Sequence, residues 1–281
     1  MTDFNSRGPE RIICLTTETV DVLYRLGQSE RIAGISGFTV HPPRARREKP
    51  RVAAFSTAHI DRILALDPDL ILAFSDIQAD LVAELVRAGA RVHVFNQRSV
   101  TGILEMVLDL GRLVDALPAA RELVGELDAH IDRVAEAGAF LGSRPRVYFE
   151  EWDEPMICGI QWVSEMIALA GGEDIFAERA RHGDARSRIL ADSSAIIERQ
   201  PELMIGSWCG KKFRPDRVAA RAGWETIPAV VNGQLREIKS ADILQPGPTA
   251  LTRGLSQLQT LIVEAPRSSL TDRRRHPGSR A

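Results

Sequence analysis

Six aromatic side chains stand at or just after stretches that resemble buried strands, although aromatic residues make up only 5% of the chain. They are Phe38, Phe55 and Phe74 in the first half and Trp152, Trp162 and Trp208 in the second. Flat rings contribute stacking and buried apolar area without a fixed hydrogen-bond pattern, which suits a large, flat, partly apolar ligand. For the three phenylalanines, packing into the core and contact with a ligand are equally favoured. For Trp152, the polar surroundings favour contact with a ligand.

Polar residues occupy similar positions. Those that follow predicted strands include Thr17, Ser56 and Asp153. The acidic cluster at residues 150–154 could hold paired catalytic carboxylates, but alternation along the chain would point them to different faces, so a solvated rim is the preferred interpretation. His59 could act as an axial ligand to a metal, with capping of a helix start as the competing interpretation. We otherwise expect no metal site.

Motifs of the common enzyme classes are absent from the sequence. The six histidines do not show HxxxH or HxH spacing, and neither a phosphate-binding glycine loop nor a GxSxG elbow is present. Cys14, Cys158 and Cys209 lack CxxC spacing, which argues against a disulfide framework and a zinc site. The sequence therefore predicts a binding protein rather than an enzyme, with no covalently bound cofactor.

Composition sets further limits. The chain has 281 residues, of which 44% are hydrophobic and 26% charged, as in an ordinary soluble protein. A formal net charge of −2 gives no basic field for nucleic acid. Residues 265–281 hold five arginines against one aspartate. That composition predicts a disordered basic tail over residues 266–281.

The sequence shows neither a membrane span nor an N-terminal targeting signal. No run reaches the roughly 18 apolar residues of a membrane span, and a strand-like segment begins at residue 11. The sequence as it stands therefore predicts a cytoplasmic location, with a periplasmic location as the alternative if a leader has been removed.

The sequence contains an internal repeat. The segment IDRILALDPDLILAF begins at Ile60, and the similar segment SAIIERQPELMIGSW begins at Ser194. Each is a short helical pattern followed by a proline, an acidic residue and an apolar run that ends at an aromatic ring. The segments RIICL from Arg11 and RVYFE from Arg146 have nearly the same offset. Two landmarks with one shift predict two similar halves.

Strands alternate with helices in each half. In the first half we predict strands at 12–15, 31–36, 70–74 and 91–95, and helices at 20–26, 60–66 and 79–88. In the second half we predict strands at 147–150, 203–206 and 229–231, and helices at 163–170 and 216–222. Short, wholly apolar strands that alternate with helices predict an α/β fold with a mostly parallel sheet in each lobe.

Helical patterns without a strand join the halves. Residues 101–114 carry one apolar face, and Pro118 suits the first turn of a second helix that runs to about residue 137. We predict an N-terminal lobe at 1–116, a long linking helix at 117–138 and a C-terminal lobe at 139–265. Ligands of parallel sheets bind at the carboxyl ends of the strands, so we expect a cleft lined by those ends from both lobes.

Several of these segments resemble the vitamin B12 and iron-siderophore class of ABC-transporter substrate-binding proteins, which has a helical backbone between two lobes. The resemblance spans roughly residues 10–264. It is carried by the repeat, by EEWDEP from Glu150, by SEMIALAGGEDIFA from Ser164 and by ILQPGPTALTRGL from Ile243. The last two segments resemble the cobalamin-binding branch more than the siderophore binders.

The resemblance implies that a corrinoid such as cobalamin binds between the two lobes. It also implies that the protein is a monomer. An iron siderophore or haem is the alternative ligand, and an enzyme that uses the cleft is less favoured. The implied contacts come from Phe38, Phe55, Ser56 and Phe74 in the first lobe and from Trp152, Asp153, Pro155 and Trp162 in the second. Gln245 would offer an amide to the carboxamide edge of the corrin.

The resemblance also implies a permease as partner. Such binding proteins dock on the permease through one exposed acidic residue on each lobe. Asp80 could serve in the first lobe. The corresponding stretch of the second lobe, GKKFR at residues 210–214, is basic. A ligand-binding role is therefore better supported by the residues than a transport role.

Overall fold

A computed structural model of the chain describes residues 8–53 and 60–265. Contacts within it divide the chain into two compact units. Unit 1 runs to His130 and takes in Gln245–Thr252, whereas unit 2 runs from Ile131 to Leu244 and resumes at Arg253. The sequence-based division assigns residues 245–252 to the second lobe, but the structure groups this segment, here called the strap, with unit 1.

Unit 1 contains a five-stranded parallel sheet in the order β3-β2-β1-β4-β5. Its strands are β1 (Ile12–Cys14), β2 (Ile32–Ser36), β3 (Arg51–Ala53), β4 (Leu70–Phe74) and β5 (Val92–Phe95). Ile12 pairs with Ile32 on one side and with Leu70 on the other. Every residue of β1 and β4 is buried, as expected for apolar strands that helices cover on both faces.

The helices of unit 1 pack around this sheet. They are α1 (Thr17–Arg25), α2 (Ala45–Glu48), α3 (Ile60–Leu64), α4 (Ala79–Arg87) and α5 (Val100–Leu113). The long helix α6 (Leu117–Ala139) then continues past His130 into unit 2. Its buried residues recur every three or four positions and form one apolar stripe: Ala120, Leu123, Leu127, Ile131 and Val134. The long helix predicted after Pro118 is confirmed.

Unit 2 contains a second sheet, in the order β10-β9-β6-β7, with β8 paired to the start of β6. Its strands are β6 (Arg146–Asp153), β7 (Met156–Cys158), β8 (Glu173–Asp174), β9 (Leu203–Gly206) and β10 (Leu235–Glu237). The pairings are parallel except that of β7, which folds back antiparallel to β6. The predicted α/β fold with a mostly parallel sheet in each half is confirmed.

Short helices surround the second sheet. They are α7 (Gln161–Leu169), α8 (Ala177–Ala180), α9 (Ser194–Arg199), α10 (Pro215–Ala219), α11 (Pro228–Val231), α12 (Ser240–Ile243) and α13 (Leu255–Glu264). The Tyr148 ring lies edge-on to the rings of Phe176 and Trp224 in the core, with centroids 5.8 and 6.2 Å away. In the described part of the chain, no helix is long and apolar enough to cross a membrane.

The repeated proline motif has the same backbone shape in both units. Asp67 and Gln200, which precede Pro68 and Pro201, both adopt the left-handed conformation, with φ of 47° and 46°. Residues other than glycine rarely adopt this backbone conformation. Its recurrence at the same place supports the duplication that the sequence predicts.

One predicted element is wrong. Residues 229–231 were expected to form a strand, but they lie in helix α11, and the parallel strand is β10, at Leu235–Glu237. Pro228 suits the first turn of a helix because it lacks an N–H that would need a partner. Gly233, with φ of 60°, then turns the chain into β10. The apolar residues alone did not separate a buried helical turn from a buried strand.

Candidate functional site

The carboxyl ends of β1 and β4 lie side by side in unit 1, where the strand order reverses. This is the usual position of a ligand crevice in an open parallel sheet. The buried Gln78 amide joins the two strand ends: Nε2 donates to the Leu15 carbonyl at 3.3 Å, and Oε1 accepts from the Phe74 N–H at 2.9 Å. The sheet edge is thus fixed by a side chain as well as by the strand ladder.

The strap packs against this edge of unit 1. The Gln97 Nε2 donates to the Pro246 carbonyl at 2.9 Å. Asp21 Oδ2 accepts from the Thr249 N–H at 2.9 Å and from its hydroxyl at 2.7 Å. Gly247 lies so near α1 that an added Cβ would stand 2.7 Å from the Glu18 Cβ. Only glycine allows this close approach of the two backbones.

Glu18, which the sequence places among the candidate residues after the first predicted strand, is a buried carboxyl group in the first turn of α1. Its Oε1 has no hydrogen-bond partner. Burial raises the pKa of Glu18 to about 7, and hydrogen bonding from Thr16 and Thr17 only partly opposes that rise. The group is therefore poised to change its charge near neutral pH.

The predicted contacts of unit 1 differ in accessibility. Thr17 and Phe74 are buried, and the guanidinium of Arg98 lies over the Phe74 ring, 5.5 Å from its centroid. Phe38 is 49% exposed. Gln245, at the start of the strap, is half-buried. Phe55, Ser56 and His59 lie outside the described residues, and Asp80 is exposed in the first turn of α4.

In unit 2 the carboxyl ends of β6 and β9 lie next to each other, with Glu150 opposite Gly206. The chain turns at Glu154 and Pro155, both exposed, to form β7. The Trp152 indole N–H donates to the Glu154 carbonyl at 2.8 Å, which ties the ring to this turn. Predicted contacts Trp152, Asp153 and Pro155 therefore lie together at one edge of unit 2.

A cation lies over the indole rings at this edge. Lys211 Nζ stands 4.4 Å from the Trp152 ring centroid and 5.1 Å from that of Trp208. It also forms an ion pair with Asp153. We call Trp152, Trp208 and the Lys211 side chain over them the aromatic site. The sequence interpretation noted Lys211 only as part of a basic stretch, because nothing in the spacing brings it to Trp152.

A buried ionic network around Glu150 fixes the position of the Trp208 ring. Trp208 Nε1 donates to Glu150 Oε1 at 3.1 Å. Glu150, which is fully buried, also accepts from Arg221 at 2.7 and 2.9 Å and from the Tyr148 hydroxyl at 2.9 Å. Burial and the adjacent Glu150 carboxylate hold the pKa of Tyr148 well above its usual range. This network fixes the indole and keeps Glu150 from being an unpaired buried charge.

Two predicted tryptophan contacts are buried. Trp162 lies on α7 at 2% exposure, and its indole N–H donates to the Ile243 carbonyl at 2.9 Å. Trp208, at 5% exposure, packs edge-on to Phe213 in the core of unit 2. Their roles in binding stay predictions, and Trp152 is the half-buried indole of the three.

The described residues include no group of three or more histidine, cysteine, aspartate or glutamate side chains that could hold a metal ion. Cys14 and Cys158 are buried, and burial raises the pKa of each thiol to about 12. Both thiols are therefore neutral near pH 7. Cys209 is exposed.

The sequence matches the periplasmic binding protein family over residues 12–241. The chain belongs to this family. Curated relatives of this periplasmic binding protein include a cobalamin-binding protein of Halobacterium salinarum, 26% identical over 251 residues. That match covers 85% of this chain and 66% of the relative, so the chain spans just under two thirds of that protein's length. A vitamin B12-binding protein of Vibrio campbellii is 25% identical, with 86% of each chain covered.

Solved structures share the fold of this periplasmic binding protein. The vitamin B12-binding protein BtuF of Vibrio cholerae superposes with a TM-score of 0.72 at 22% identity, covering 91% of this chain and 97% of its own. The haem-binding protein RhuT of Roseiflexus gives 0.76 at 19% identity, covering 91% and 100%. Staphylococcus aureus IsdE, solved with haem, gives 0.78 at 16% identity, covering 92% and 100%. These likenesses confirm the predicted architecture.

Proposed function

We propose that this chain is a ligand-binding protein whose ligand is a corrinoid of the cobalamin type. Two sets of observations support the proposal. The curated relatives that match most of the chain carry the names of cobalamin- and vitamin B12-binding proteins. The carboxyl edge of unit 2 offers an aromatic surface for a large flat ring.

The placement of Trp152 carries the proposal. Its ring is half-buried at the end of β6, its N–H is already satisfied by Glu154, and its neighbour Trp208 is fixed by Glu150. A ring held in this way can stack on a ligand without losing much conformational freedom on binding, which favours affinity. The carboxamide edge of a corrin would be met by neutral hydrogen bonds.

A titration of Trp152→Ala tests this role. The expected result is at least a tenfold weaker binding of cyanocobalamin by calorimetry, because the substitution removes the stacking face and its apolar area. Phe140→Ala is the matched control: Phe140 is an aromatic residue of unit 2 that is 90% exposed. Equal affinities for both variants and the wild type would remove Trp152 from the binding site.

Haem or a ferric siderophore is the second candidate ligand. The observation that favours it is the Lys211 ammonium at the aromatic site, which could meet a carboxylate of an anionic ligand. A titration panel in which haem or ferric chelates bind and cyanocobalamin does not would decide for this candidate.

We further propose that the chain binds its ligand without transforming it and delivers it to an ABC-transporter permease. Asp80 on unit 1 is the candidate docking residue. The basic residues 210–214 depart from the acidic docking residue expected on the second lobe, so the permease interaction rests on weaker support than ligand binding. The monomeric state and the cytoplasmic location, with the periplasm as the alternative, stay predictions.

A further inference from the structure

Lys211 occupies the very surface that the proposed function assigns to the ligand. Its ammonium lies over both indole rings and contacts Asp153. The side chain is 41% exposed, whereas that of Asp153 is 21% exposed. A ring that stacks on the Trp152 face beneath Lys211 must therefore move Lys211 aside or take its place among the same partners.

We propose that Lys211 is a specificity-determining residue of the aromatic site: it lowers the affinity for a neutral ring ligand, the proposed corrinoid included, relative to a ring ligand that carries an anionic group. The proposal rests on the proposed function and adds a rule for ligand charge. Its physical basis is competition: a cation over an indole face is stabilised by the ring quadrupole, and the ligand must replace that interaction.

The indole rings themselves are the fixed part of the site. The Trp152 N–H is tied to Glu154, and the Trp208 N–H is tied to the Glu150–Arg221 network. Lys211 is held by the ring faces and one carboxylate, on a long and flexible side chain. On ligand binding, Lys211 is thus the group that moves.

Charge balance decides which ligand benefits from that movement. Asp153 Oδ1 is buried and forms an ion pair with Lys211 Nζ, and Arg221 also interacts electrostatically with Asp153. A neutral ring that displaces Lys211 breaks both the cation–ring contact and this ion pair. A ligand carboxylate gives the displaced ammonium a new partner, and the loss is offset.

Tryptophan fluorescence tests the contact without any ligand. The chain has four tryptophans, and three of them, Trp162, Trp208 and Trp224, are 5% exposed or less. Quenching by acrylamide therefore reports chiefly on Trp152. Lys211→Met should change the quenching constant or the emission maximum because it removes the ammonium from the ring, whereas Lys212→Met, an equal loss of charge at the next residue, should not. Identical spectra and quenching for the wild type and both variants would overturn the contact and the proposal.

Titrations of the same proteins with cyanocobalamin and with haem test the selectivity. The peripheral groups of cyanocobalamin are mostly neutral carboxamides, and haem carries two propionates. Lys211→Met is expected to shift the ratio of the two affinities towards cyanocobalamin by about five- to thirtyfold, the worth of one cation–ring contact. Lys212→Met should leave the ratio within about twofold, as for a screened surface charge.

The outcomes separate the two proposals. If Lys211→Met leaves the ratio unchanged, or shifts it no more than Lys212→Met does, the charge rule is overturned while the proposed binding function stands. If neither probe binds the wild type or any variant, the proposed function fails, and the charge rule fails with it.

Discussion

The carboxyl group of Glu18 is buried beneath the strap, without a hydrogen-bond partner on Oε1. Because burial raises its pKa from 4.5 to about 7, the folded chain keeps a proton that the unfolded chain releases between those pH values. This group therefore lowers the free energy of unfolding as the pH rises from about 4.5 to 7, and the loss persists at higher pH.

Glu18→Gln removes this titration. We expect the variant to match the wild type at pH 5 and to exceed its free energy of unfolding at pH 8 by on the order of 2 kcal/mol, since a neutral amide has no charge to desolvate. Urea unfolding at the two pH values measures the difference. Glu84→Gln, at an exposed position of α4, is the control and should show no such dependence on pH. A Glu18→Gln effect of equal size at pH 5 and pH 8 would contradict the assigned titration.

The sequence predicted individual side chains unevenly, for physical reasons. Trp152 and Asp153 could be found because a rare aromatic residue in a polar stretch after an apolar strand is unusual. Lys211 and Arg221 could not, because their partners Trp152 and Glu150 come from β6, some 60 to 70 residues earlier in the chain. Glu18 lies directly after a predicted strand, but its burial depends on the strap, more than 200 residues later.

At the scale of elements, the strap comes closest to α1 at Gly247. A Cβ at Gly247 would lie 2.7 Å from the Glu18 Cβ and 3.2 Å from its Cα, so the strap or α1 must shift to accept it. Gly247→Ala is expected to lower the free energy of unfolding by about 1–3 kcal/mol, the usual cost of overpacking.

Gly125→Ala provides the matched comparison for the strap variant. Gly125 is exposed in the interior of α6, and an added Cβ there meets nothing within 4 Å. Alanine should stabilise that helix by up to about 1 kcal/mol. Thermal unfolding of the two variants measures the contrast, and a Gly247→Ala protein as stable as the wild type would show that the strap is not closely packed.

The sequence predicted helices and strands correctly where the residue pattern is compatible with few structures. The proline repeat, the long amphipathic helix and the fully apolar strands each allow few alternatives. The prediction failed at residues 229–231, where three small apolar residues suit a helical turn as well as a strand. The antiparallel return of β7 was also missed, because the turn at Glu154 and Pro155 lies in a polar stretch that gives no strand signal.

For the molecule as a whole, the duplicated sequence predicted two units with similar sheets, and the family match confirms that architecture. The assignment of the strap to unit 1 was not predictable, because it depends on tertiary contacts with Gln97 and Asp21 rather than on local pattern. Ligand identity depends on side-chain chemistry at the strand ends, which varies within one fold.

The most direct test of the whole account is a calorimetric titration of the wild-type protein with cyanocobalamin, followed by recovery of the ligand. Saturable binding of about one ligand per chain, with the corrinoid recovered chemically unchanged, is the predicted result. Absence of saturable heat with cyanocobalamin would contradict the proposed corrinoid ligand, and recovery of an altered corrinoid would contradict binding without catalysis.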